Sequence, residues 1–296
     1  TSASPASGAT GMPFTEYRYE AGGGLTHSFG PWKAGGDLRF SREPDYTSLF
    51  ASGHGELDLA DHNVTLGLTA GVGRDSISNA GAQGGISQRI EGTLDTWLVS
   101  LSGKQVLTPQ LVAGASYDLS YLHGFQENPY RTVAAGGLIE MERLPGKRYR
   151  HALAGSLRGI LPRTRSTAVA GYRLYVDSWG MVAHSPELRV IQEIRNGFEV
   201  HLRWRYHHQS RADFFKDVYD SGDPAVEPFL TDDVKLSAYD THVIGVKLDS
   251  PLAAIGLCSR QTQGVRVDFT AEYVVQHNRY GNAFVGGLGL TVPVNQ

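Results

Sequence analysis

Cysteine occurs once in 296 residues, at Cys258, which excludes an intrachain disulfide, a CxxCH haem attachment and a thiolate metal cluster. No apolar run approaches the roughly 20 residues that a membrane helix needs. That absence rules out helical spanning but not a β-barrel, whose strands need only about 10 residues each and expose half their side chains to lipid. Charged residues are scarce at 19%, and a formal net charge of -3 leaves no basic excess for nucleic acid. The opening Thr1-Ser-Ala-Ser-Pro-Ala-Ser-Gly8 lacks a charged segment followed by an apolar one, so an exported form is expected to have lost its signal peptide already.

What the chain has is glycine, 36 residues of it, and 14 tyrosines, with a mean hydropathy of -0.26. This composition suits many strands joined by glycine-rich turns, and nothing in it cuts the chain into two globular units. The stretch Phe198-Glu-Val-His-Leu-Arg-Trp-Arg-Tyr-His207 alternates large apolar residues with charged or imidazole ones, which is a strand with two unlike faces. Similar alternation runs through 32–41, 49–60, 63–75, 93–105, 111–122, 149–161, 166–177, 186–195, 236–249, 263–277 and 282–294. With 198–207 this predicts about twelve strands. Residues 1–30 are left as a disordered lead, an extra edge strand or a segment folded into a lumen, and 31–296 as one β-barrel.

The connections sort by parity. Alternate ones are short, at 61–62, 106–110, 162–165 and the Asn196-Gly197 hairpin turn, with 250–262 as the exception. The others include long loops at 76–92, 123–147 and 210–235. Outer-membrane barrels show this pattern, with an even strand number and both termini at the short-turn end, whereas a soluble two-sheet sandwich has no reason to sort its loops. The expectation is therefore all-β, a single transmembrane antiparallel up-and-down barrel. Twelve strands tilted near 40° would enclose roughly 25 Å between opposite backbones.

The charged face is the second indication. Arg150, Arg158, Arg173, Asp177, Glu187, Arg189, Glu193, Arg195, Glu199, Arg203, Arg205, Arg266, Asp268 and Glu272 fall on one side of the predicted strands. A dry core could not hold them unpaired, since each unpaired charge would cost several kcal/mol, so the face is expected to line a wet or densely paired lumen. Trp97, Tyr117, Tyr121, Tyr172, Trp204, Tyr206, Phe269 and Tyr273 fall on the opposite side, where lipid-facing girdle aromatics belong.

Several stretches carry a family resemblance: Glu43-Pro-Asp-Tyr46, Gln126 to Val133 with its Asn-Pro-Tyr-Arg-Thr-Val, Gly171-Tyr-Arg-Leu-Tyr-Val-Asp-Ser-Trp-Gly180 with His184-Ser-Pro186, and Arg203-Trp-Arg-Tyr-His-His-Gln209 with Ala212-Asp-Phe-Phe215. From about residue 38 onward the chain resembles the bacterial outer-membrane proteins catalogued as domain of unknown function 3570. The resemblance implies a barrel in the outer membrane of a Gram-negative bacterium and supplies no catalytic residues or cargo. One departure is the ending Val292-Pro-Val-Asn-Gln296, where such barrels commonly end on an aromatic residue.

Candidate chemistry is sparse. His201, His207 and His208 invite a metal, but adjacent strand residues point to opposite faces, so no metal or cofactor is expected. The acidic loop with Asp213, Asp217, Asp220, Asp223, Glu227, Asp232 and Asp233 lacks the alternating ligands of an EF-hand and reads as a solvated loop. Ser120 and His123 near Asp118 do not make a phospholipase signature, and no enzyme is expected. The leading expectation is a narrow, porin-like channel for small solutes or ions through the Arg- and Glu-lined lumen. The alternative is a closed or plugged barrel acting as a scaffold for assembly or secretion. The partners expected are membrane lipid and lipopolysaccharide, with a periplasmic or lipoprotein partner for the scaffold and no nucleic acid.

Overall fold

The computed structural model describes residues 17–79, 90–256 and 264–293. Fifteen strands make up most of it: β1 Tyr19–Phe29, β2 Trp32–Arg42, β3 Tyr46–Leu59, β4 Val64–Ser78, β5 Glu91–Thr108, β6 Leu111–Gly124, β7 Thr132–Ala135, β8 Leu138–Met141, β9 Lys147–Leu161, β10 Ser166–Asp177, β11 Val182–Arg195, β12 Phe198–Gln209, β13 Tyr239–Pro251, β14 Arg266–Gln276 and β15 Ala283–Thr291. All but β7 and β8 form one antiparallel 13-stranded sheet in chain order, in which each strand pairs with its sequence neighbours. β7 and β8 are a separate hairpin inside the connection between β6 and β9.

The expected twelve strands are all present, and β1 is a thirteenth. Its Cα partners run from Tyr19↔Arg42 to Phe29↔Trp32, so of the roles open to residues 1–30 this stretch takes that of an extra edge strand. Residues 1–16 lie outside the described part. Among the described residues the sheet thus has thirteen strands where about twelve were expected, β1 starting at the long-loop end and β15 finishing at the short-turn end. Loop sorting survives the extra strand. The turns at 30–31, 60–63, 109–110, 162–165 and 196–197 lie at one end with the longer connection 252–265 as the exception, and the connections 79–90, 125–146 and 210–238 at the other with the short turns 43–45, 178–181 and 277–282.

The Asn196-Gly197 turn has positive φ at both residues, 51° and 77°, the type I′ geometry whose twist matches that of the strands it joins. Beyond it β11 carries a bulge between Glu193 and Arg195. Continued straight from Arg195↔Phe198, the register would set Glu187 opposite Tyr206 and mix the faces. The bulge restores Glu187↔Arg205 and Arg189↔Arg203, and takes Arg195 out of line with the charged positions.

The sheet has one apolar and one polar face. Leu66, Leu68, Val99, Leu101, Leu153, Leu188, Val190, Leu202, Ile244, Val246 and Phe269 are large, apolar and exposed on the same side, while the charged residues occupy the other. The sheet's apolar side chains do not form a core of their own.

The described core lies instead at the long-loop end, in a cap made by 125–146 and 210–238. Leu144, Trp179, Met181, Ala212, Phe215 and Leu236 are buried together, and beside them Val133, Ala135, Tyr219 and Leu230. Arg131 and Glu142 pair inside the cap at 2.9 Å, and Arg131 also reaches Asp233 at 3.0 Å. The cap also ties distant parts of the sheet together. Tyr130 Oη donates to Asp45 in the β2–β3 turn at 2.5 Å, and Asp232 meets Arg279 of the β14–β15 turn at 2.7 Å. Asp45, Tyr130, Arg131, Asp233, Asp232 and Arg279 thus form a relay between turns ten strand positions apart. A flat sheet would hold those turns about 48 Å apart. The relay would reach so far only with every side chain stretched in one line, so the sheet is curled, polar face inward under the cap. β1 and β15 keep an unpaired outer edge among the described residues.

Candidate functional site

The inner face of the curl is built by strand period alone: pairing across the sheet aligns every second residue, and register sets the rows. At the short-turn end one row runs Glu193, Glu199, Asp249, Asp268 across β11 to β14. The next holds His201 and Lys247, then Arg189 and Arg203 with Glu272, then Glu187 and Arg205, then Arg173, Ser185 and His207. The rows neutralise one another. Arg203 pairs with Glu187 at 3.0 Å and Glu272 at 2.9 Å, Arg189 with Glu187 at 2.8 Å, and Lys247 with Asp268 at 3.5 Å. Arg266 pairs with Asp249, His201 with Glu199 at 3.0 Å, and Arg173 loosely with Asp118 at 3.7 Å.

Fourteen residues were expected to line a lumen, and the structure sets twelve of them, Arg150, Arg158, Arg173, Glu187, Arg189, Glu193, Glu199, Arg203, Arg205, Arg266, Asp268 and Glu272, on the polar face, whereas the bulge takes Arg195 off it. Asp177 shares that face but its carboxylate is wholly buried. It accepts from the N–H groups of Trp179 and Met181 at 2.9 and 3.1 Å and from Tyr175 Oη at 2.7 Å, and it pairs with Arg148. Asp177 therefore builds the turn that seats the cap. Arg148, whose guanidinium lies 3.9 Å over the Trp179 ring, completes that seat and was not singled out by sequence; strand alternation, which sets it on the inner face beside Arg150, could have found it.

Trp97, Tyr117, Tyr121, Tyr172, Trp204, Tyr206, Phe269 and Tyr273 lie on the apolar face. Toward the long-loop end they stack with one another and with histidines: Trp97 on Tyr121 at 5.4 Å, Tyr121 on Tyr149 at 4.5 Å, Tyr206 against His242 at 4.8 Å. On the inner face, β4 to β6 present small residues instead: Gly67, Thr69 and Gly71, Ser100 and Ser102, Gly114 and Ser116.

The other candidates separate. Ser120 and Asp118 face inward and His123 outward, and Asp118 accepts from Ser100 Oγ at 2.6 Å. Among the described residues no group of three or more His, Cys, Asp or Glu could hold a metal ion. Three of the seven acids of the loop are in ion pairs: Glu227 with Lys216 at 2.5 Å, Asp232 with Arg279 and Asp233 with Arg131.

In the cap, burial holds the Glu142 carboxyl above its ordinary value against the pull of Arg131. Burial works to lower Arg131, but Glu142 and Asp233 outweigh it and hold the guanidinium above its ordinary value. The two directions disagree about the pair, and the hydrogen bonds decide. Asn128 N–H, Thr231 Oγ1 and Arg131 Nη1 all donate to Glu142, so the pair is ionic.

A family described as "Protein of unknown function (DUF3570)" matches residues 2–292. No curated protein sequence matches the chain. Solved structures similar to it include CdiB from Acinetobacter baumannii, 12% identical over 95% of this chain and 54% of that chain with a TM-score of 0.47. The siderophore receptor PirA from Pseudomonas aeruginosa is 13% identical over 94% of this chain and 60% of that chain, with a TM-score of 0.47. BamA from Haemophilus ducreyi lacking POTRA domains 1-3 is 11% identical over 90% of this chain and 58% of that chain, with a TM-score of 0.42. The chain thus covers between 54% and 60% of the length of these structures.

Proposed function

The chain belongs to the DUF3570 family, and we propose that this member is an outer-membrane β-barrel of a Gram-negative bacterium passing small solutes or ions through an off-centre, capped lumen. The exposed apolar face with its aromatic belt would meet lipid and lipopolysaccharide, and the long loops would face outward. One observation carries the channel reading. On the inner face Arg173, Asp118 and Arg189 keep 51%, 46% and 52% of their side-chain surface open, although all lie within strands. A closed, packed interior would bury them. The small residues of β4 to β6, on the far side of the curl from the charged rows of β11 to β14, leave room for a passage along that wall. The cap favours the alternative, a closed scaffold, because it rests on the inner-facing Arg148, Tyr175 and Gln209.

Conductance in planar bilayers separates the two. The channel reading expects steady current from the full chain, little changed on removing residues 1–16, a deletion that leaves β1 intact. A self-plugged barrel would gain current on that deletion. Arg173→Gln with Arg203→Gln frees Asp118 and Glu272 from their cations, leaves Glu187 with Arg189 alone, and should shift the reversal potential toward cations in a salt gradient. Absence of current from both the full and the shortened chain refutes the channel and leaves the scaffold.

A further inference from the structure

We propose that Ser185, His207 and Gln209, with Arg173 beside them, form a hydrolytic site for a water-soluble, negatively charged carboxylic ester on the inner face beneath the cap. Ser185 Oγ lies 2.8 Å from His207 Nδ1, and His207 Nε2 lies 3.3 Å from Gln209 Oε1. The cap fixes the proton positions. Gln209 Nε2 donates to the carbonyls of Lys235 and Ser237 at 2.9 and 2.7 Å, which turns its Oε1 toward His207. An amide oxygen only accepts, so His207 carries its proton on Nε2 and presents a bare Nδ1 to the serine hydroxyl. Nucleophile, base and orienting group are thus linked in the order that activates a serine.

The surroundings supply positive charge. Arg173 on β10 is the cross-strand neighbour of Ser185, and Arg205 flanks it on β12, opposite Glu187. Among the described residues Arg173 has one ion pair, a 3.7 Å contact that turns its guanidinium toward Asp118 on β6 and is loose enough for it to swing back across β10 to Ser185, and Arg205 has none. One guanidinium can stabilise a developing oxyanion and the other hold a carboxylate elsewhere on the substrate. Ser185 retains 8% exposure, and it and His207 lie on the neighbouring strands β11 and β12, which hold the geometry more closely than a loop would.

The chemistry balances with water alone. Ser185 Oγ attacks the carbonyl carbon while its proton passes to His207 Nδ1, and the carbonyl electron pair moves onto oxygen beside Arg173. Collapse breaks the ester C–O bond, and the leaving alkoxide takes the proton from His207 and departs as the alcohol. Water then gives a proton to His207 and adds to the acyl-serine. Loss of Ser185 Oγ, which recovers that proton, releases the carboxylic acid.

The test uses the purified full chain in detergent, with folding checked by heat-modifiable gel mobility, and requires neither conduction nor membrane insertion. A fluorophosphonate dye should label the wild type and Ser120→Ala equally and Ser185→Ala not at all. Hydrolysis of mono-4-nitrophenyl succinate should exceed that of 4-nitrophenyl acetate, and should fall by at least ~10³-fold in His207→Gln. Arg173→Gln should lower kcat by ~10²-fold or more, with loss of the preference for the anionic ester. Gln209 is a positioning residue: Gln209→Leu should lower kcat with KM little changed and displace the pH profile, and an unchanged kcat and profile in folded Gln209→Leu would overturn its role. Folded wild type that is neither labelled nor active, or equal labelling of wild type and Ser185→Ala, overturns the proposal.

Discussion

Exchanging charge and apolarity at two adjacent residues of β12 tests the facing of the whole sheet. Leu202 is the fifth of twelve residues in β12, is 51% exposed, and has Val190 and Val246 as its cross-strand neighbours. If that face meets hydrocarbon, Leu202→Arg places a cation near mid-depth at a cost of about 2–4 kcal/mol. Arg203→Leu removes two ion pairs, to Glu187 and Glu272, whose partners keep 23% of their side-chain surface. Glu187 retains Arg189 at 2.8 Å, so the loss is about 1 kcal/mol, the scale of partly hydrated pairs. The difference, about 2 kcal/mol at the middle of the range, is roughly thirtyfold in the folded-to-unfolded ratio. Arg205→Leu, which breaks no ion pair among the described residues, should cost least. Urea titrations read by heat-modifiable gel mobility give the three midpoints. Equal damage from Leu202→Arg and Arg203→Leu, or greater damage from the latter, refutes the assignment of faces.

On intact cells, after replacing Cys258, an impermeant maleimide should label Val218→Cys in the outer loop and spare Asn196→Cys; the opposite preference inverts the topology. Val218 serves because it is 73% exposed, whereas a side chain at Gly222 would meet Glu140 Cγ at 2.8 Å. In the cap, Arg131→Gln leaves Glu142 buried without its cation and should destabilise the cap by about 3–5 kcal/mol, read as faster proteolysis within 125–146. Adding Glu142→Gln should restore part of the loss, and no recovery in the double variant would show that Arg131 acts through Asp233 alone.

Strands with large residues on one side and charges on the other were legible because alternation reports a two-faced sheet directly. β1 was not, because its inner positions hold Glu20, Gly22, Gly24, Thr26 and Ser28 and its outer ones include Ala21, Gly23 and His27; glycine on both faces erases the contrast. The cap was invisible for another reason. Its buried residues come from two loops far apart in sequence and from the Trp179 turn, and no period marks side chains that meet only after a sheet curls. Ser185 beside His207 is a third case. Counting back from Asn196-Gly197 pairs His207 with Pro186, and only the bulge after Glu193 brings Ser185 opposite. Ser120 and His123, the serine and histidine that stand close in sequence, face opposite sides.

The relay from Asp45 to Arg279 also bears on the order of assembly. Every ladder in the 13-stranded sheet joins strands adjacent in that sheet, so the wall can grow hairpin by hairpin with small loop-closure entropy at most steps. The relay's links, Tyr130 to Asp45 across 85 residues and Arg279 to Asp232 across 47, become available only after the wall has bent far enough to bring its two margins under one cap. Contacts made that late are absent from the folding transition state, so they govern how slowly the finished molecule comes apart rather than how fast it forms. The cap is in this sense a latch on lifetime, set only once the wall around it has bent into shape.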